Sequence, residues 1–381
     1  MRGQDGFDAG HLAAIDRAIG AAVAARKLPG AVYRLERGEA QHARAYGRLD
    51  FGMDAAPVTG DTVFDVASLT KVLATAPAVL LLAEEGRIDL EAPLVQYVPE
   101  CTGGGKAAIT VRQLLTHTSG LLSGLSARPA WQGAQAALDL VCAQRVTHPP
   151  GTHFRYSDIN YILLGLLVEQ IAGMPLDRFA TQRIFAPLGM LNTGYLPLAR
   201  SAKAAIAPTQ RGAGVSHGPP PSTAHRDLAP GAALQGVVHD PTVRRMGGVA
   251  GSAGVFSTAR DVACFARMLL AGGELDGVRV LRADSVRLLS TVQSPPGIAA
   301  LRGMGMDIDS PFAKKPRGSR YPLGSYGHTG FTGCILWVDP DSCSFYVFLS
   351  NRVYPDDRSM ILPLYAELGN LSAEAALSAQ Q

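Results

Sequence analysis

The feature that most limits the fold lies near the C-terminus, where Phe345-Tyr346-Val347-Phe348-Leu349 is apolar at every position. A half-exposed strand alternates apolar and polar residues, so this unbroken run predicts a strand covered on both faces. Such a strand needs packing layers above and below it. Ile335-Leu336-Trp337-Val338 precedes it across a turn at Asp339-Pro340-Asp341, giving a hairpin, and Ala31 to Leu35 with Gln41 to Tyr46 gives a second across Arg37-Gly38. Leu12, Ile15, Ile19 and Val23 put an amphipathic helix before the first hairpin, and Ile361, Leu364 and Leu368 put one after the second. Between them the apolar spacing predicts helices over 69–86, 111–116, 135–143, 158–172 and 175–185. Pro77 falls inside the first of these and is expected to kink it.

These patterns predict one α/β body made from both termini, with a helical insertion between them. Residues 1–66 and 240–381 would form a discontinuous sheet domain, and 67–239 a mostly helical one. The second would include a Pro/Gly-rich loop at 201–241 with Pro219-Pro220-Pro221, a length that marks a functional loop or a disordered excursion. At 381 residues a large core is available without crosslinks. The net charge of +3 is too small for the positive field on which nucleic-acid binding rests. The longest apolar stretch, Ala74 to Ala83, predicts no membrane span. Cys101, Cys142, Cys264, Cys334 and Cys343 form no Cys-x-x-Cys, so reduced, scattered thiols are expected. With no apolar signal region at the N-terminus, a cytoplasmic setting is the expectation.

Three segments can carry chemistry. Ser68-Leu69-Thr70-Lys71 stands where a strand over Thr62 to Val66 gives way to a helix, so Lys71 can reach the Ser68 oxygen from the next turn. Backbone N–H groups at the helix start would favour an oxyanion beside Ser68. A serine hydroxyl becomes a nucleophile when a neighbour removes its proton; otherwise Ser68 is a helix cap and Lys71 a solvated lysine. Tyr156-Ser157-Asp158 precedes a second helix. For Tyr156 to act as a base near neutrality, a tyrosine pKa of about 10 must fall some three units, roughly 4 kcal/mol in favour of phenolate. Lys71 is the natural source, and ordinary packing of Tyr156 is the alternative. Gly327-His328-Thr329-Gly330-Phe331-Thr332-Gly333 leads into the strand at 334–338. It is either a Gly-rich turn or a strand edge along which a ligand can lie.

Together and in this order, the three segments resemble the serine β-lactamase and penicillin-binding protein superfamily, in its class C β-lactamase and family VIII carboxylesterase branch. Leu114 to Gly120, Pro149-Pro150-Gly151, Gly247 to Gly251, Ala253 to Thr258 and Asn351-Arg352 are also similar to that family, so the resemblance spans about Gly30 to Tyr354. It implies an α+β fold, an antiparallel sheet flanked by helices beside a mostly helical domain, with the active site between them. Ser68 would be acylated, Lys71 and Tyr156 would share acid/base work, and the backbone N–H groups of Ser68 and Phe331 would form the oxyanion hole. Asp158, His328, Thr329 and Gly330 would bind substrate.

Two departures from the family pattern bear on substrate. Asp158 replaces a commoner asparagine, and a carboxylate there would keep Lys71 charged and shift base duty toward Tyr156. His328 replaces the β-lactamase lysine, and a largely neutral imidazole is a weaker anchor for a carboxylate. The expectation is a serine carboxylesterase acting on small acyl esters. Alternatives are a β-lactamase, D,D-carboxypeptidase or D-aminopeptidase acting on amides, an acyltransferase, and a scaffold without turnover. A small-molecule ester or amide is the expected partner; no cofactor is implied. No histidine spacing suggests a metal site, and His117 is expected to make a structural hydrogen bond.

Overall fold

In the computed structural model, which describes residues 6–212, 228–229 and 231–377, the two hairpins share one sheet. The strands of the main sheet and of the site are β1 (Gly30–Arg37), β2 (Ala40–Gly47), a short pair β3 (Phe64–Asp65) and β4 (Phe256–Ser257), then β5 (Leu301–Arg302), β6 (Asp307–Asp309), β7 (Tyr326–Gly330), β8 (Cys334–Asp339) and β9 (Ser344–Ser350). The main sheet has seven antiparallel strands in the order β2-β1-β9-β8-β7-β6-β5. The N-terminal hairpin thus joins the C-terminal one through β1 and β9, with Tyr33 opposite Phe348.

Every residue of β9 is buried, as its composition predicts. Tyr346 and Phe348 face a layer made by α1 (Ala9–Ala24) and α5 (Leu362–Leu377), packing with Ile15, Ile19 and Leu368. Phe345, Val347 and Leu349 belong to the larger core on the other face, with Val262, Phe265 and Leu269. Those three come from α4 (Ala259–Leu270), a helix the apolar spacing did not single out. Its start carries a legible signal, since the Thr258 side chain accepts a hydrogen bond from the Asp261 N–H as an N-cap.

The apolar run Ala74–Ala83 fills the second half of an 18-residue helix, Ala67–Glu84. That helix is long and apolar enough to cross a membrane by length and composition, but 83% of it is buried inside the protein, where it is the central core helix. It begins as a tight 3₁₀ turn at Ala67–Leu69, widens to a π turn at Lys71–Thr75 and continues as α2 (Ala76–Glu84). The break expected at Pro77 therefore appears as a widened turn just before it, where the Ala76 N–H bonds back to the Lys71 carbonyl. Alongside runs α3 (Asp158–Ala172). Gly251 packs where these two helices meet: a Cβ there would overlap the Tyr161 carbonyl. Of the expected Pro/Gly-rich loop, residues 213–227 and 230, including Pro219-Pro220-Pro221, lie outside the described residues.

The cysteines correct the expectation of five thiols. Cys101 and Cys142 form a disulfide, their Cα atoms 4.6 Å apart, while Cys264, Cys334 and Cys343 are free. A sequence separation of 41 hid the pair, because only folding brings the segment after Pro99 against the helix Ala134–Ala143. The cysteine pattern therefore no longer supports a reducing setting. Alkylation of the unfolded, unreduced protein should label the three free cysteines, with two more exposed only after reduction. The Cys101→Ser, Cys142→Ser double variant should lose about 2–4 kcal/mol in a urea unfolding curve.

Candidate active site

The segment before Ser68 is held under constraint. Ala67 has φ 46°, a left-handed conformation costing about 1–2 kcal/mol for a residue with a Cβ. Asp65 maintains it: one carboxylate oxygen accepts the Ala67 N–H at 2.8 Å and the other the His239 N–H at 2.7 Å. Burial pushes the Asp65 carboxyl up to about 6, against the pull of those two N–H groups. Strand β7 closes on the same backbone, and a Cβ at Gly330 would overlap the Val66 carbonyl. The Thr332 hydroxyl donates to the Asp65 carbonyl at 2.6 Å. Phe331 is thereby brought to the same cavity as Ser68.

Lys71 is wholly buried and fully engaged. Its Nζ donates to Ser68 Oγ at 3.0 Å and to the Ser252 carbonyl at 2.7 Å, and it pairs with Asp158 Oδ1 at 2.7 Å. Burial alone would pull its pKa down, but the charge of Asp158 and the neighbouring Tyr156 outweigh that and hold the ammonium above the ordinary lysine range. In this state Lys71 has no lone pair with which to accept the Ser68 proton. Its Nζ lies 5.1 Å from the Tyr156 ring centroid.

Tyr156 is placed by the segment Leu114 to Gly120. His117 Nδ1 accepts the Ser157 N–H at 3.1 Å, the structural hydrogen bond expected of it, and its ring lies 4.5 Å from that of Tyr156. Ser119 Oγ donates to Asn160 Oδ1 at 2.6 Å, tying the same loop to α3. The Gly247 to Thr258 stretch serves the other side: besides the Ser252 carbonyl, Gly251 O accepts from the Thr75 hydroxyl and the Val255 N–H donates to Thr70. Asn351 bonds Leu49 and Pro208 carbonyls, and the Arg352 guanidinium lies 4.7 Å over the Phe331 ring.

Ser68, Tyr156, Asp158, His328, Thr329 and Phe331 line one cavity of ≈ 460 Å³. Buried Lys71 reaches it from below Ser68, and Gly330 joins two of the lining residues. Residues that motif reading missed share the wall: Arg302, Asp307, Phe312, His239 and Asp240. Arg302 and Asp307 form a buried ion pair at 3.2 Å across β5 and β6, far from any motif in sequence. Burial, with Asp158 nearby, pushes Asp240 above the usual carboxylate range. Both imidazoles against Tyr156 are neutral: burial first, then the charge of Arg302 and Lys71, drives His117 and His328 well below the ordinary histidine value.

Residues 15–370 match the beta-lactamase family. The chain belongs to that family. It is 31% identical over 318 residues to a putative D-alanyl-D-alanine carboxypeptidase of Escherichia coli strain K12, covering 77% of this chain and 70% of that protein. The fold is shared with a family VIII carboxylesterase (TM-score 0.70, 20% identity, 97% of this chain and 98% of the other). It is also shared with the class C beta lactamase of Rhodobacter sphaeroides (TM-score 0.69, 21% identity, 94% and 98%). The hydrolase EstCE1, described as having promiscuous acyltransferase activity, matches at TM-score 0.71 with 21% identity over 95% and 99%.

Two outcomes test this geometry. Gly330→Ala must displace either the Val66 carbonyl or β7, and should destabilise the fold by about 1–3 kcal/mol in a denaturant titration. His117 and His328 have folded pKa values below their unfolded ones near 6.5, so the unfolded chain binds more protons beneath that pH. Their contribution to stability should be complete above about pH 6.5 and fall away on acidification. Unfolding curves at a series of pH values should show a shallower acid loss in a His117→Asn, His328→Asn double variant than in the parent protein.

Proposed function

We propose that this serine hydrolase of the beta-lactamase family is a carboxylesterase that cleaves small acyl esters through an acyl-Ser68 intermediate. The observation that carries the reading is the state of His328. At the strand edge where a carboxylate-bearing substrate would need a cation, the side chain is a buried, neutral imidazole whose Nδ1 is 2.8 Å from the Thr329 carbonyl. Lys71 is occupied by Asp158 and Ser252, and the cation that shares the cavity wall, Arg302, is buried and paired through one nitrogen with Asp307. At the mouth of the cavity stand Phe312 and Phe331, 46% and 54% exposed, which suits an uncharged acyl or alkoxy group.

In this mechanism Tyr156 takes the Ser68 proton as the hydroxyl attacks the ester carbonyl, because the Asp158-bound ammonium of Lys71 cannot. Lys71 donates to Ser68 Oγ and compensates the negative charge on Tyr156. The Ser68 and Phe331 N–H groups receive the oxyanion. Tyr156 returns the proton to the leaving alcohol, and water then reverses the sequence on the acyl-enzyme. Transfer to an alcohol instead of water needs no different residue.

The second reading is a D-alanyl-D-alanine carboxypeptidase, favoured by the name of the 31%-identical relative. Rates on p-nitrophenyl butyrate, a D-alanyl-D-alanine peptide and nitrocefin separate the two. The ester should show the highest kcat/KM and leave a butyryl mass on Ser68; preference for the peptide would transfer the assignment to carboxypeptidase. Ser68→Ala should abolish turnover, and Tyr156→Phe should lower kcat by about 10²–10⁴. Full activity in either variant would remove that residue from the mechanism.

A further inference from the structure

Tyr156 lies within reach of two buried cations, of which sequence motifs disclose one. Lys71 Nζ is 5.1 Å from the ring centroid, and Arg302 Cζ, arriving from β5, is 5.8 Å from it. The remaining neighbours of the ring are His117 at 4.5 Å, Phe312 at 5.1 Å and His328 at 5.9 Å. Neither imidazole carries charge. Tyr161 lies beyond His117 with its hydroxyl donating to the Leu115 carbonyl. Four carboxylates complete the surroundings: Asp158 on Lys71, Asp240 and Asp357 on the cavity wall, and Asp307 on Arg302.

The Arg302 pair is incompletely satisfied. Its Nη2 donates to the Gly305 carbonyl at 2.8 Å, and Nη1 is 3.2 Å from Asp307 Oδ2. Among the described residues, Nη1 and Nε make no hydrogen bond of good geometry, and neither does Asp307 Oδ1. The other Asp307 oxygen also accepts from the Ser310 hydroxyl at 2.7 Å. An arginine fully matched to a carboxylate makes a two-pronged contact. This one does not, so part of its charge is left to act on its surroundings through a medium that screens poorly. The guanidinium is buried in the cavity wall, beside the Tyr156 ring.

We propose that Arg302 is a positioning residue that favours the phenolate of Tyr156, replacing from β5 the cation that position 328 lacks, and that Asp307 sets how much of its charge Tyr156 feels. The proposal rests on Tyr156 being the base for Ser68. It predicts opposite effects from two neighbouring changes. Asp307→Asn frees the charge of Arg302 and should make Tyr156 easier to ionise. Arg302→Met combined with Asp307→Asn removes the cation without stranding a carboxylate, and should make it harder by at least about one pH unit.

The ionisation of Tyr156 can be read in the substrate-free protein by NMR of isotope-labelled tyrosine ring carbons, with its signal identified by loss in Tyr156→Phe. Opposite displacements of the midpoint in the two variants, with Arg302→Lys close to the parent protein, are the expected result. Midpoints that stay put, or move together, would overturn the proposal. If the double variant melts before the titration ends, Asp307→Asn decides alone, and a midpoint that does not fall is decisive against it. Because no turnover is involved, failure of ester hydrolysis leaves this test standing. Where the ester is cleaved, the acid limb of kcat/KM should move in the same directions while Ser68 acylation remains detectable.

Discussion

The buried ammonium of Lys71 is the interaction around which the site is organised. A charge removed from water is tolerated only when opposite charge and hydrogen-bond acceptors surround it. Asp158, the Ser252 carbonyl and Ser68 Oγ do this, and each arrives on a different element: the start of α3, the strip before β4, and the turn that opens the core helix. Satisfying one group therefore fixes three segments relative to one another. The π turn beginning at Lys71 and the left-handed Ala67 are local costs accepted within that arrangement.

The same electrostatics shape what the cavity can hold. Positive charge is abundant around Tyr156 but buried, fully engaged at Lys71 and partly matched at Arg302, while the imidazoles that could face a ligand are kept neutral by burial and by those cations. The cavity consequently combines a strong internal field with the exposed rings of Phe312 and Phe331 in its lining. In the proposed hydrolysis the field acts on the proton leaving Ser68, and those rings accept the acyl group.

Much of this was legible in the chain. The all-apolar 345–349 run required a strand covered on both faces, and both hairpins were found near their predicted ends. Ser68, Lys71, Tyr156 and His328 stood out because each lies at a junction of elements in a recognisable order. Asp158 was read as a partner for Lys71, and it sits 2.7 Å from it. What escaped had no local signature. Arg302 follows an ordinary leucine in a two-residue strand, and its relation to Tyr156 exists only because β5 and β6 extend the sheet past β7. Cys101 and Cys142 carried no spacing that identified them as a pair.

The sequence by itself determined the layered sheet and the order in which its chemistry-bearing segments appear, since periodicity and short motifs record contacts made within a few residues. Tertiary structure decided the charge states: which cations face Tyr156, why His117 and His328 remain neutral, and how Asp158 holds Lys71 charged. Those depend on burial and on distances of three to six ångströms between segments far apart in the chain. A one-dimensional pattern does not encode such distances.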